Sequence, residues 1–192
     1  MLSVFQYERY LLRRQVFALT GKFRLYGPND DLVLYSEQKM FRLREDIRLY
    51  SDETKSQELM RIQARQILDF SAAYDVIDLT MDVKVGVLRR KGMRSIMRDE
   101  WDILNAEDQP LGTIFEDSVA LALLRRLLLG SLLPQNYDVQ INGQRAGDLK
   151  QRFNLFRYEL DMDFSMDTAH LFDRRLGIAA GILLGTIEGK QN

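Results

Sequence analysis

From Tyr10 onward, apolar and polar residues exchange places at every second position over most of the chain. That is the period of a half-buried β-strand. Lys22-Phe23-Arg24-Leu25-Tyr26 shows it. Gly27-Pro28-Asn29-Asp30-Asp31 then turns the chain, and Leu32-Val33-Leu34-Tyr35 brings it back. The same reading predicts strands at 40–44, 47–50, 59–64, 74–78, 83–89, 101–104, 112–116, 138–141 and 144–147. Turns are expected at 51–54 and 105–109, and Asn142-Gly143 reads as a hairpin turn that favours positive φ. A last alternating run covers 154–164. One internal stretch breaks the pattern. Between Asp117 and Leu133 there are eight leucines and two arginines, with no β-branched residue after Val119. A helix of roughly three to four turns is predicted there, started by Asp117 or Ser118 and ended by Gly130 and Pro134.

The second break is the informative one. From Leu176 to Gly185 the chain carries no charge and no side-chain hydrogen-bonding group. At helical spacing Leu176, Ile178, Ile182, Leu183, Leu184 and Ile187 cover most of the circumference, so the helix is either a core element or a membrane span. A span needs roughly 20 mainly apolar residues, and this run meets charge sooner. Burying six aliphatic side chains is worth about 9–18 kcal/mol gross, at about 1.5–3 each. Gly177, Gly181 and Gly185 share one face, and each costs about 1 kcal/mol of helix propensity. Close approach of the helix to a tight wall gives them a reason. About ten to twelve strands and one wholly apolar helix suggest a sheet closed on itself, which removes exposed edges and leaves interior space to fill. The expected fold is mainly β (α+β): a closed antiparallel barrel around a buried hydrophobic helix at 173–188. One additional leucine-rich helix completes it, in a single domain over 1–192.

Composition narrows the function more than it defines it. Hydrophobic residues make up 46% of 192, enough for a real core. The formal net charge of −1 gives no compositional case for a nucleic-acid partner. The chain has no cysteine, which excludes disulfides, thiolate zinc sites and cysteine nucleophiles. It also fits a reducing, cytoplasmic compartment. Arg9, Arg13 and Arg14 interrupt the apolar N-terminal residues and no cleavage site follows, so no signal peptide is expected.

The order and spacing of several segments resemble a known group of proteins. These are Lys22-Phe23-Arg24-Leu25-Tyr26-Gly27, Lys39-Met40-Phe41, Tyr74-Asp75-Val76-Ile77-Asp78 and Val85-Gly86-Val87-Leu88-Arg89-Arg90-Lys91. With them go Asp99-Glu100-Trp101-Asp102-Ile103-Leu104, Gly112-Thr113-Ile114-Phe115-Glu116-Asp117-Ser118 and the helix opening Asp173-Arg174-Arg175-Leu176. The chain is similar to the LURP-one-related and phospholipid-scramblase-like proteins of the tubby C-terminal-like superfamily. The resemblance implies a roughly twelve-stranded barrel threaded by its last helix. It also implies a protein that is not an enzyme, with lipid, phosphoinositide or regulatory roles.

Arg89, Arg90, Lys91, Arg94 and Arg98 form the densest basic cluster. Guanidinium and ammonium groups converging there suit a phospholipid headgroup at an anionic membrane surface. The competing reading, which ordinary surface electrostatics favours, is a solvated hairpin paired with Asp99, Glu100 and Asp102. The segment between Leu121 and Leu133 offers a second surface. It suits a lipid interface, or, in the alternative function, a protein partner or homo-oligomer in a soluble interaction module without membrane contact. No metal or cofactor is expected. Counted from Asp161, a calcium loop needs glycine at Met166 and a carboxylate at Phe172, and both fail. The lone histidine, His170, has no cysteine partners for a metal and no marked nucleophile nearby. No serine has a G-x-S-x-G setting. Trp101 reads as core.

Overall fold

In the computed structural model, which describes residues 1–15, 20–39, 46–65, 72–91, 100–117, 134–154 and 156–188, the alternating segments form twelve strands. They are β1 (Arg9–Gln15), β2 (Thr20–Tyr26), β3 (Leu32–Lys39), β4 (Ile47–Tyr50), β5 (Glu58–Ala64) and β6 (Ala73–Asp78). Then follow β7 (Val83–Arg90), β8 (Glu100–Leu104), β9 (Pro110–Glu116), β10 (Asn136–Ile141), β11 (Gln144–Arg152) and β12 (Arg157–Asp163). Each strand pairs antiparallel with its neighbours in chain order, and β1 closes on β12 from Arg9 opposite Asp163 to Gln15 opposite Arg157. The wall is an up-and-down barrel without a free edge, the arrangement that the closed-sheet argument called for.

The pleat sorts the side chains. On β12, Tyr158, Leu160 and Met162 are buried and point inward, while the residues between them are not. Outside, the register puts opposite charges face to face: Arg13 opposite Glu159, Lys22 opposite Glu37, Arg89 opposite Asp102. Ion pairs join all three.

The last helix, α1 (Arg174–Glu188), fills the barrel. Leu176, Ile178, Ile182, Leu183 and Leu184 are all buried. So are Ala179 and Ala180, so the rod is covered all round. The glycine face lies against β12 and its neighbours. A Cβ on Gly177 would sit 2.5 Å from Phe164, one on Gly181 2.7 Å from Met162, and one on Gly185 2.9 Å from both Phe23 and Tyr158. These partners descend β12 as the helix ascends, so the two run antiparallel.

The barrel therefore has two distinct ends. At the proximal end lie the turns 27–31, 51–57, 79–82, 105–109 and 142–143 and the segment 164–173 that leads into the helix. Asn142 and Gly143 take φ of 50° and 79°, as the hairpin turn predicted from sequence requires. At the distal end β7, β9 and β11 finish, β8, β10 and β12 begin, and the helix arrives.

The helix start is locked rather than merely packed. Asp173 caps it, its Oδ1 accepting the backbone N–H of Arg175 at 2.9 Å. Two arginines in a first turn oppose the helix dipole, and each is answered by a buried carboxylate. Arg174 donates to Asp167 at 2.7 Å and to the Phe172 carbonyl at 2.8 Å. Arg175 donates to Asp78 at 2.6 Å. Burial pushes both carboxyls up. For Asp78, hydrogen bonds from Thr80 and Arg175 outweigh it; for Asp167, those from Arg174 and the Phe172 and Leu171 N–H groups do. Both end below the usual carboxylate range.

Four expectations end differently or lie elsewhere. The predicted strand at 40–44 and, from residue 118 on, the predicted leucine-rich helix lie outside the described residues. β11 continues to Arg152, past the expected end at Gly147, because Leu149 keeps the inward alternation going. The run at 154–164 does not start as strand. Asn154 Oδ1 accepts the N–H groups of Phe156 at 2.9 Å and Arg157 at 3.1 Å, which makes the β11–β12 hairpin tip.

Candidate functional site

The same pleat that builds the core divides the predicted basic cluster. β7 and β8 pair Arg89 with Asp102 and Arg90 with Trp101. Arg89 is on the outer wall, its side chain 46% exposed, donating through Nε at 3.2 Å and Nη2 at 2.9 Å to Asp102. Lys91 lies beyond it, 2.5 Å from Glu100 and 3.1 Å from Asp102. The hydrogen bond that Lys91 donates to the Glu100 carboxylate raises its pKa above the ordinary value. Arg90 shares the face of buried Leu88 and lies across from buried Trp101. Its charge reaches Tyr74, whose phenol burial pushes up against that pull. Arg89 and Lys91 are thus brought together on the wall, and Arg90 is turned to the other face. Arg94 and Arg98 lie outside the described residues, as does the stretch from Leu121 to Leu133.

Of the two sequence readings, the pairing with Glu100 and Asp102 is present. It does not consume the arginine. A guanidinium has five N–H donors, and Arg89 uses two groups on one carboxylate oxygen. Exposed pairs of this kind are worth about 0–1 kcal/mol, so a phosphate competes with them readily.

Arg89 also borders a shallow groove of about 310 Å³ on the outer wall, shared with Asp102, Thr113, Gln140 and Asn142. A backbone approach closes its floor: a Cβ on Gly112 would lie 2.1 Å from the Gln140 carbonyl. Asn142 was marked in the sequence only as a turn residue, and Thr113 and Gln140 by no motif. The only signal of those two is outward parity on β9 and β10, shared with every other polar strand residue.

The acidic residues before the helix have separate employments. Asp161 pairs with Arg152, Asp163 with Arg9 and the Ser165 hydroxyl, and Asp167 with Arg174. No group of three metal-ligating side chains occurs among the described residues. His170 is exposed in the 164–173 segment at φ 50°, its imidazole without a hydrogen bond among the described residues. Among those residues no helix is long and apolar enough to cross a membrane.

A closed wall of twelve strands skewered by its own last helix, with a charged exterior, defines an up-and-down barrel built around a central helix. The family described as LURP-one-related matches residues 32–184, from β3 into the helix, and the chain belongs to that family. No curated protein and no solved structure matches it.

Proposed function

We propose that this chain is a non-enzymatic, scramblase-like member of its family that meets anionic phospholipid headgroups with the distal end of its barrel. Arg89 and Lys91 make the described part of the contact; Arg94 and Arg98, which follow in sequence, are assigned to it as well, and Arg90, on the other face of the wall, is not. The carrying observation is the placement of Arg89 and Lys91 side by side on the outer wall toward the distal rim. The opposite end supports the orientation. Its turns carry Asp30, Asp31, Asp52, Glu53, Asp82, Glu107 and Asp108 against Lys55 alone, so an anionic surface repels that end and draws the other. Such a protein works at the cytoplasmic face of a membrane without inserting its helix.

Co-sedimentation with phosphatidylcholine vesicles containing phosphatidylserine tests the reading. Each basic residue near such a surface is worth about 1 kcal/mol, so changing both Arg89→Ala and Lys91→Ala weakens binding by roughly 30-fold. Equal sedimentation of the two proteins, or none by the wild type, removes the proposal.

A further inference from the structure

We infer that the β11–β12 hairpin tip is an apolar wedge that enters the bilayer interface when the distal end docks. The inference rests on the phospholipid reading and adds a site to it. Phe153 is 61% exposed and Phe156 70%. They are the most exposed large apolar residues among those described. The others, Met1, Leu2, Met81, Val83 and Leu171, are scattered over the N-terminus and the proximal end. A single exposed hydrophobe needs no explanation. Two phenylalanines on one turn, held outward by the Asn154 side chain, do.

The flanks fit one occupant. Arg152 and Arg157 bracket the tip. Arg152 is 50% exposed and bound to Asp161, itself 41% exposed, while Arg157 has no carboxylate partner among the described residues. An aromatic pair between arginines is the composition of a membrane-interface anchor: rings at headgroup depth, guanidinium groups on phosphates. The tip and the Arg89–Lys91 pair also share the distal end while standing on strands well apart around the wall. A broad, flat, anionic surface meets both at once, and a bilayer is such a surface.

Two measurements test this, both on the full chain with vesicles of phosphatidylcholine and phosphatidylserine. Phe153→Ser with Phe156→Ser removes the rings from an exposed turn and leaves the fold intact by circular dichroism, yet lowers vesicle partitioning by about tenfold or more. Phe156→Trp adds a reporter to a chain whose one tryptophan, Trp101, is 2% exposed. Its emission shifts to the blue on vesicles and is quenched by brominated lipid, whereas the wild type shows neither effect. If the wild type sediments but the serine variant sediments equally and Phe156→Trp is not quenched, the wedge is wrong and the headgroup reading stands. If the wild type does not sediment, both fall. If the serine variant instead turns a wild-type dimer into a monomer in light scattering, the tip is a self-association surface and the wedge is overturned.

Discussion

Replacing Gly177 by alanine tests how tightly the barrel holds its helix. In an exposed helix the change stabilises by about 1 kcal/mol. Here the new Cβ would lie 2.5 Å and 2.9 Å from two carbons of Phe164 and 3.0 Å from Phe172. Carbon pairs rest at about 3.5–4.0 Å, so the Phe164 ring must retreat by about 1 Å. It has nowhere to go. It packs edge-on against Phe172 at 5.6 Å and Tyr10 at 6.3 Å, and Arg174 lies 5.3 Å from its centre. On its other side Gly147 is equally tight, since a Cβ there would be 2.6 Å from the same ring. Overpacking of this kind costs about 1–3 kcal/mol, and more where neighbours are pinned. Set against the propensity gain, Gly177→Ala should destabilise by about 1–2 kcal/mol.

Gly181 supplies the contrast. Its closest neighbour is the Met162 sulfur at 2.7 Å, with the next atoms at 3.3 Å and 3.6 Å. A thioether swings aside at little cost, so Gly181→Ala should be neutral or stabilising by up to about 1 kcal/mol. Urea unfolding followed by circular dichroism reads both. In thermal scans each kcal/mol corresponds to about 2–4 °C for a chain of this size. Equal stabilisation by the two alanines would show the helix loose in its sleeve, and the packing argument would be refuted.

The remaining predictions concern charge. Asp78→Ala takes away the fully buried partner of Arg175, which keeps Asp173 on its other side, and should cost about 1.5–3 kcal/mol, whereas Asp161→Ala breaks an exposed pair and should cost no more than about 1 kcal/mol; similar urea midpoints for the two variants would contradict the locked helix start. The folded pKa values of Asp78, Asp163 and Asp167 are held below the ordinary carboxylate range. The stability they supply is therefore complete above the unfolded value of about 3.9 and drains away as pH falls through the folded values. Acid titration by circular dichroism should show unfolding below about pH 4, with a smaller acid loss in Asp78→Ala; an unchanged urea midpoint from pH 6 to pH 2 would sink that account.

The fold was legible because two periods in the sequence have simple geometric meanings. Alternation at Lys22-Phe23-Arg24-Leu25-Tyr26 fixes which side chains face inward. The uncharged run from Leu176 to Gly185 fixes what they face. The glycine face was legible as a demand for close contact, but not as a ranking: Gly177 meets pinned rings and Gly181 a flexible sulfur, and nothing in their spacing separates them. The candidate surface was harder to read for the same reason that the strands were easy. Arg89, Arg90 and Lys91 are consecutive, and in a strand consecutive residues point to opposite faces. A cluster in sequence thus becomes a pair on the wall and one residue turned away. At the hairpin tip the error ran the other way. Phe156 looked like a member of the alternating run at 154–164, and only the Asn154 hydrogen bonds reveal that the strand has not yet begun.

The direction of the pleat also decides which part of the barrel can touch lipid. In a membrane-spanning barrel apolar residues face outward and polar ones line the lumen. This wall is the reverse. Leu12, Leu25 and Leu160 face in and are buried, while Arg13 and Glu159 face out in a cross-strand ion pair and Arg24 faces out to Glu53 of a turn. A charged arginine or lysine at the lipid face costs about 2–4 kcal/mol at the bilayer midplane, and the outer wall carries such residues on β1, β2, β4, β5, β7 and β11. Lifting the helix out to span instead would strand Asp78 and Asp167, which it neutralises through Arg175 and Arg174, and would empty the core. The sides are closed to lipid by charge and the helix is held by its salt bridges. Under the phospholipid reading proposed above, contact with a bilayer is thereby confined to an end, and the carboxylates on the proximal turns at 27–31, 51–57, 79–82 and 105–109 favour the distal one.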